Sequence, residues 1–212
     1  MSKEMSSFQF SLDECERELA EFGDLLDKRG ELSEKHDLLP FFAKRPHLSA
    51  FAASWNLHID EINLFGFEFD LFGNFRCDWA AGDSKSGQFV LVEIEDARAN
   101  SVFGGGEKYH DEWGRRFEHG YSQLIDWFWA LDMYRDNPDF RKRFGGGAPN
   151  FSGLLLVGRN RFLDAAMRER LNWRVQRVTI NSNRIICMTF DELRERMVRR
   201  VEAMRGVAKL TD

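Results

Sequence analysis

Cysteine is scarce in this chain, with three among 212 residues, at positions 15, 77 and 187. They are far apart and form neither a CxxC pair nor a zinc-ligand spacing, which excludes a dithiol redox motif and a zinc ribbon. They fit reduced, buried thiols in a cytoplasmic protein. The five histidines, His36, His47, His58, His110 and His119, contain no HExxH or similar pair, which argues against zinc. No GxSxG is present, so a nucleophile elbow is excluded. No apolar run is long enough to span a bilayer and no N-terminal hydrophobic signal stands out, so no membrane partner is expected. Gly104, Gly105 and Gly106 lack a following Lys-Ser/Thr, and no strand leads directly into them, which excludes a phosphate-binding loop. Internal repeats and low-complexity linkers are also missing.

What is present describes an ordinary globular chain. Hydrophobic residues make up 43% and charged residues 31%, and 20 phenylalanines supply most of the aromatic content; such a composition builds a core rather than a disordered tail. The length suits one main domain, read as residues 31–212, preceded by a helical appendage over 1–30. The net charge of -5 excludes a surface coated in positive charge. From Arg159 onward, however, thirteen Arg/Lys face seven Asp/Glu. A basic flank of that kind suits a polyanion, and it is also how a solvated helix face looks.

The order of elements reads as α/β. Ser11 with Glu14 three residues on is a capping-box signal, and Leu12, Cys15, Leu19, Phe22, Leu25 and Leu26 give an apolar helical stripe ending near Gly30. Further helical turns are expected over 33–43 and 48–55. Strand signals begin near Leu57. Over 61–72, Phe65, Phe67, Phe69 and Leu71 fall on one face, with Glu68 and Asp70 on the other. A second strand covers 75–79, residues 80–87 read as a loop, and a third strand covers 88–94. These three form an antiparallel meander. The spacing then predicts a long helix over 110–134, a central strand at 154–157, a helix over 161–171, strands near 175–180 and 184–189, and a terminal helix over 191–207. Trp127 and Trp129 are expected to pack against the helix and core.

The third strand carries the chemistry. Phe89, Leu91, Glu93 and Glu95 share one face, and Val90, Val92 and Ile94 the other. One face therefore starts apolar and ends in two carboxylates, which either run out into solvent or need a positive partner such as a divalent cation. Asp78 would join them only if the chain between the two strands brings it opposite the acid end. In that case Asp78, Glu93 and Glu95 could hold Mg²⁺ and act on a phosphate. Gln123, on the long helix, would orient water or a phosphate oxygen, or sit as a polar residue at the edge of the buried face. Glu34 would add another carboxylate, or face solvent as a lone helical glutamate does.

Four segments together resemble the PD-(D/E)XK nuclease superfamily, and more closely the C-terminal nuclease domain of the Shedu anti-phage proteins. They are 75–79 (Phe-Arg-Cys-Asp-Trp), 89–96 (Phe-Val-Leu-Val-Glu-Ile-Glu-Asp), 123–127 (Gln-Leu-Ile-Asp-Trp), and 155–159 followed by 186–193. A weaker match lies at 33–42. The resemblance implies a mixed central sheet beginning with an antiparallel meander and flanked by helices. It also implies metal-dependent DNA cleavage in anti-phage defence, with Mg²⁺ as cofactor and Mn²⁺ as the alternative ion. Its implied partners are DNA, other copies of the chain, and an accessory or sensor protein. It assigns Asp78 and Glu93 to the two strand acids, Gln123 to the helical glutamine and Glu34 to the first-helix acid. This gives Glu34, Asp78 and Glu93 as metal ligands and Asp78, Glu93, Glu95 and Gln123 as catalytic residues. Glu95 departs from the pattern, which has lysine there to steady charge on the scissile phosphate. Glu95 then either ligates the metal itself, leaves the lysine's role to Lys108, Arg115 or Arg159, or marks a weakened nuclease fold that binds nucleic acid or a protein without cutting.

Overall fold

An acid-bearing strand sits in the middle of a sheet, and the rest of the chain covers that sheet on both faces. The computed structural model describes residues 3–55, 59, 61–106, 111–145, 147–180 and 183–211; Leu57, Lys108 and His110 lie outside them. The strands are β1 (Ser6–Ser7), β2 (Leu64–Leu71), β3 (Phe75–Asp83), β4 (Gln88–Ile94), β5 (Phe103–Gly104), β6 (Glu112–Trp113), β7 (Asn150–Leu156), β8 (Thr179–Ile180) and β9 (Asn183–Met188). The main sheet runs β1-β2-β3-β4-β7-β9-β8, while β5 and β6 form a separate ribbon. β2, β3 and β4 are the antiparallel meander expected from sequence. β4 then pairs parallel with β7, and β7 parallel with β9. The sheet is mixed, and β4 stands between β3 and β7.

The helices are α1 (Leu12–Lys28), α2 (Leu39–Ala43), α3 (Pro46–Ala52), α4 (Arg115–Met133), α5 (Pro138–Phe144), α6 (Ala165–Arg177) and α7 (Phe190–Thr211). A π-helical turn, Glu34–Leu38, leads into α2. Ser11 caps α1 by accepting from the Glu14 N–H at 3.3 Å. The reciprocal half of the capping box is not made by Glu14, which pairs with Arg17. Instead the Ser11 N–H donates to His47 Nδ1 at 3.1 Å, tying the start of α1 to α3.

Each face of the sheet has its own core. On one side Phe22 and Leu26 of α1, Phe42 of α2 and Met197 of α7 pack with Trp79, Val90, Val92 and Ile94. On the other, Phe117, Leu124 and Trp127 of α4 and Phe144 of α5 pack with Phe89, Leu91 and Leu155. Each large apolar side chain buried in this way contributes about 1.5–3 kcal/mol. β4 is buried on both faces, as its composition predicts, and the burial continues through its acids.

Several sequence expectations are corrected. β3 does not stop at Trp79 but runs on to Asp83. Ala80 and Ala81 are fully buried in it, and Gly82 lacks a side chain because a Cβ there would overlap the Phe89 ring. The true turn is short. Asp83 holds it by accepting the Lys85 N–H at 2.8 Å, and Gly87 takes φ 67°. In β2 the four apolar residues do not share one face, since Phe65 and Phe67 belong to the α1 side while Phe69 and Leu71 belong to the α4 side. The switch falls at Glu68, whose φ is 47°. The long helix starts at Arg115, because Glu112–Trp113 is spent in the β5–β6 ribbon. Trp127 is buried, but Trp129 is 56% exposed and meets Phe75 edge-on.

Candidate metal centre

The two acids of β4 face α4. Glu95 lies one residue past the strand, yet its N–H still donates to the Leu156 carbonyl at 2.9 Å, so the backbone stays in the sheet. Glu93 is 6% exposed and Glu95 1%. The helix can come this close because position 120 is glycine. A Cβ there would lie 2.5 Å from Leu155 Cδ1 and 3.1 Å from Glu95 Cγ. Glycine in a helix interior costs about 1 kcal/mol against alanine, and here it makes room for the acid strand.

Asp78 does meet the acid pair. Because β3 is longer than its sequence suggested, Asp78 lies within it rather than at its end. The register Trp79↔Val92 places the next residue, Asp78, level with Glu93. The Ile94 N–H donates to Asp78 Oδ2 at 2.7 Å, and the Asp78 and Glu93 carboxyls are close enough to perturb each other's ionisation. Glu34 joins from the π-helical turn, where its own N–H donates to Asp96 Oδ1 at 2.8 Å. Its carboxyl meets that of Glu95.

The electrostatics follow from crowding acids in a dry place. Burial first, then the Asp78, Glu95 and Glu34 charges, push Glu93 far up from the usual carboxylate range. Burial pushes Asp78 up to about 7; the Ile94 N–H opposes this and Glu34 and Glu95 add to it. Glu34 is pushed up to about 7 by burial and by Glu95, with Arg116 opposing. Without a cation Glu93 keeps its proton at neutral pH, and Asp78 and Glu34 keep theirs only in part. Among the described residues, neither Asp78 nor Glu93 has an ion-pair partner, which is the condition a divalent cation relieves.

Positive charge arrives from α4 on the other acids. Arg116 Nη1 bridges Glu34 at 3.1 Å and Glu95 Oε2 at 3.2 Å, and its Nε lies 3.2 Å from Asp96 Oδ2. His119 Nδ1 lies 2.6 Å from Glu95 Oε1. Glu93, Glu95 and His119 offer ligand atoms that all lie within 4.8 Å of one another, a group that could hold a metal ion. Two carboxylate oxygens and an imidazole nitrogen make a chemically suitable donor set for a divalent cation.

Glu34, Asp78, Glu93 and Glu95 are therefore gathered in one place, with a different distribution of parts. Glu93 is in the three-donor group, Asp78 touches Glu93 from behind, and Glu34 touches Glu95 from the side. Gln123 is half-buried on α4, one turn beyond Gly120, and its Oε1 is buried with no hydrogen-bond partner among the described residues. Arg159 is no stand-in for the missing lysine. It is 2% exposed and fully engaged, with Asp191 at 2.8 Å and the carbonyls of Leu26 and Arg29 at the end of α1. Arg115 is exposed, while its neighbour Arg116, Asp96 and His119 were not singled out from sequence. The signal for them was the run Arg116, His119, Gly120, Gln123, spaced three or four apart on one helix face. The basic C-terminal segment is also less free than its composition implies: Arg174 pairs with Glu118, Arg194 with Asp27 and Arg205 with Asp13 and Glu16.

A mixed sheet whose interior strand ends in buried acids, closed by a helix that brings a histidine and an arginine, defines a protein with a candidate divalent-metal centre. The chain belongs to the family described as Shedu protein SduA, C-terminal, whose sequence model matches residues 31–194. That membership sets it in the context of anti-phage defence. No curated protein matches it. Among the described residues no helix is long and apolar enough to cross a membrane.

Proposed function

We propose that the chain is a Mg²⁺- or Mn²⁺-dependent endonuclease that hydrolyses DNA phosphodiester bonds in anti-phage defence. The observation that carries this reading is the gathering of Asp78, Glu93 and Glu95 from two adjacent strands beneath α4, two of them without a cationic partner among the described residues. A bound divalent ion would supply Lewis acidity, lowering the pKa of a water and offsetting charge on a phosphate.

The chain's own residues account for the rest. Glu93, Glu95 and His119 would hold the ion, and Asp78 fixes Glu93 while itself fixed by the Ile94 N–H. Arg116, on the outer oxygen of Glu95, carries positive charge where the superfamily has lysine, and it steadies charge on the scissile phosphate. Gln123 Oε1 is an unused acceptor that can orient the attacking water. We assign the nuclease domain to 31–212, with residues 1–30 as an appendage whose helix docks on it. Assembly with further copies, an accessory or sensor protein and a cytoplasmic setting belong to the same proposal.

A second reading, a nuclease-fold module that binds without cutting, draws on Glu95, which cannot supply a lysine's charge. Plasmid nicking separates the two. The nuclease reading expects Mg²⁺- or Mn²⁺-dependent nicking that vanishes in Asp78→Ala/Glu93→Ala while DNA binding persists. Binding without cleavage by the native chain, on single- and double-stranded DNA with either ion, selects the module.

A further inference from the structure

We propose that His119 is a metal ligand and that the centre consequently takes a first-row transition ion of the Mn²⁺ class in preference to Mg²⁺. This deepens the metal-centre reading and rests on it.

The two oxygens of Glu95 are divided between two partners. Oε2 is taken by Arg116 at 3.2 Å, whereas Oε1 faces His119 Nδ1 at 2.6 Å. The side that Arg116 leaves open is thus the side where the imidazole stands, and Glu93 stands there too, since the three donors lie within 4.8 Å of one another. Metal–donor bonds of about 2.1 Å place the donors of one octahedral ion about 3–4 Å apart, so a small adjustment that parts His119 from Glu95 completes the set. The buried members are the two carboxylates, at 6% and 1% exposure, and the histidine side chain is 61% exposed. The imidazole can therefore swing aside to admit an ion and return to it, while the acids stay fixed by the sheet.

The donor type sets the preference. Mg²⁺ binds oxygen and keeps its waters, whereas first-row transition ions accept imidazole nitrogen readily. A lysine at position 95 would have placed an ammonium against this ion. Glutamate there turns the same position into a donor, and His119 supplies a nitrogen that the other acids of the site do not.

The full chain, stripped of metal with a chelator, is titrated with Mn²⁺ while the free-ion electron paramagnetic resonance signal is followed, with Mg²⁺ as competitor. Spin-echo modulation then reads nitrogen coupling on bound Mn²⁺. We expect imidazole nitrogen coupling in the native chain and displacement of Mn²⁺ only by a Mg²⁺ excess of about 100-fold. In His119→Gln the nitrogen coupling should vanish and Mn²⁺ affinity fall about tenfold, with Mg²⁺ affinity unchanged. Because His119 is exposed, this variant should keep the native melting temperature, which circular dichroism checks. Bound Mn²⁺ without nitrogen coupling, or equal weakening of both ions in His119→Gln, overturns this proposal alone. No Mn²⁺ binding at all overturns it together with the metal-centre reading, and neither result depends on DNA cleavage.

Discussion

Asp78 Oδ2 accepts the backbone N–H of Ile94 at 2.7 Å, so one acid of the site is also the clasp between β3 and the acid end of β4. The two duties can be separated by substitution. Asn keeps an acceptor for Ile94 and removes the charge, whereas Ala removes both. Asp78→Asn should therefore keep the native stability while metal affinity and nicking fall. Asp78→Ala should lose the same activity and also about 1–3 kcal/mol of stability, because the Ile94 N–H is left unpaired. Urea denaturation of the two variants, beside the native chain, makes the comparison; equal stability of Asn and Ala variants would contradict it.

The raised carboxyls give the metal-free protein an unusual pH dependence. The carboxyls of Glu34 and Asp78 are pushed up to about 7, and Glu93 is raised further. An unfolded chain releases these protons in the ordinary carboxylate range, so above that range the folded state binds more protons than the unfolded one. Stability from this source is complete at low pH and is lost as pH rises through the folded values. In chelator the melting temperature should fall between pH 5.5 and pH 8, and Glu93→Gln should flatten that fall. Mn²⁺ added at pH 8 should restore the lost stability. A slope that Glu93→Gln leaves unchanged would count against the crowded-acid description.

Gly120 is predicted to matter for the site more than for the helix. Gly120→Ala gains about 1 kcal/mol of helix propensity, but its Cβ would press on Leu155 Cδ1 and Glu95 Cγ. Overpacking of this kind costs about 1–3 kcal/mol. The expected outcome is a stability within about 2 kcal/mol of native and metal affinity lowered by displacement of Glu95. Calorimetric titration with Mn²⁺ reads the second effect, and native affinity in the variant would show that the close approach of α4 is not needed.

Much of this could be read from the chain, and the failures have physical causes. The acid face of β4 was legible because a strand's period of two fixes which residues travel together, and buried apolar residues mark the rest of the face. The meeting of Asp78 with Glu93 was left open by the residues alone and implied only by the family resemblance, because Ala80, Ala81 and Gly82 look like a loop until the Phe89 ring beside Gly82 is seen. The face switch of β2 at Glu68 is a backbone event that no hydrophobic pattern records. His119 escaped because paired ligand motifs were sought within the sequence, whereas its partners come from β4. Arg159, one of three basic residues offered for the missing lysine's role, is engaged elsewhere, because it ties α7 to the end of α1.

In the proposed centre one cation is held between β4 and α4. A crystal of the native chain soaked in Mn²⁺, with an anomalous difference map collected at the manganese edge, tests this directly. A single strong peak is expected, bonded to Glu93, Glu95 and His119, with Asp78 against Glu93, and no peak there in Asp78→Ala/Glu93→Ala. A map with no peak among these residues at saturating Mn²⁺, or with the ion held elsewhere, would contradict it.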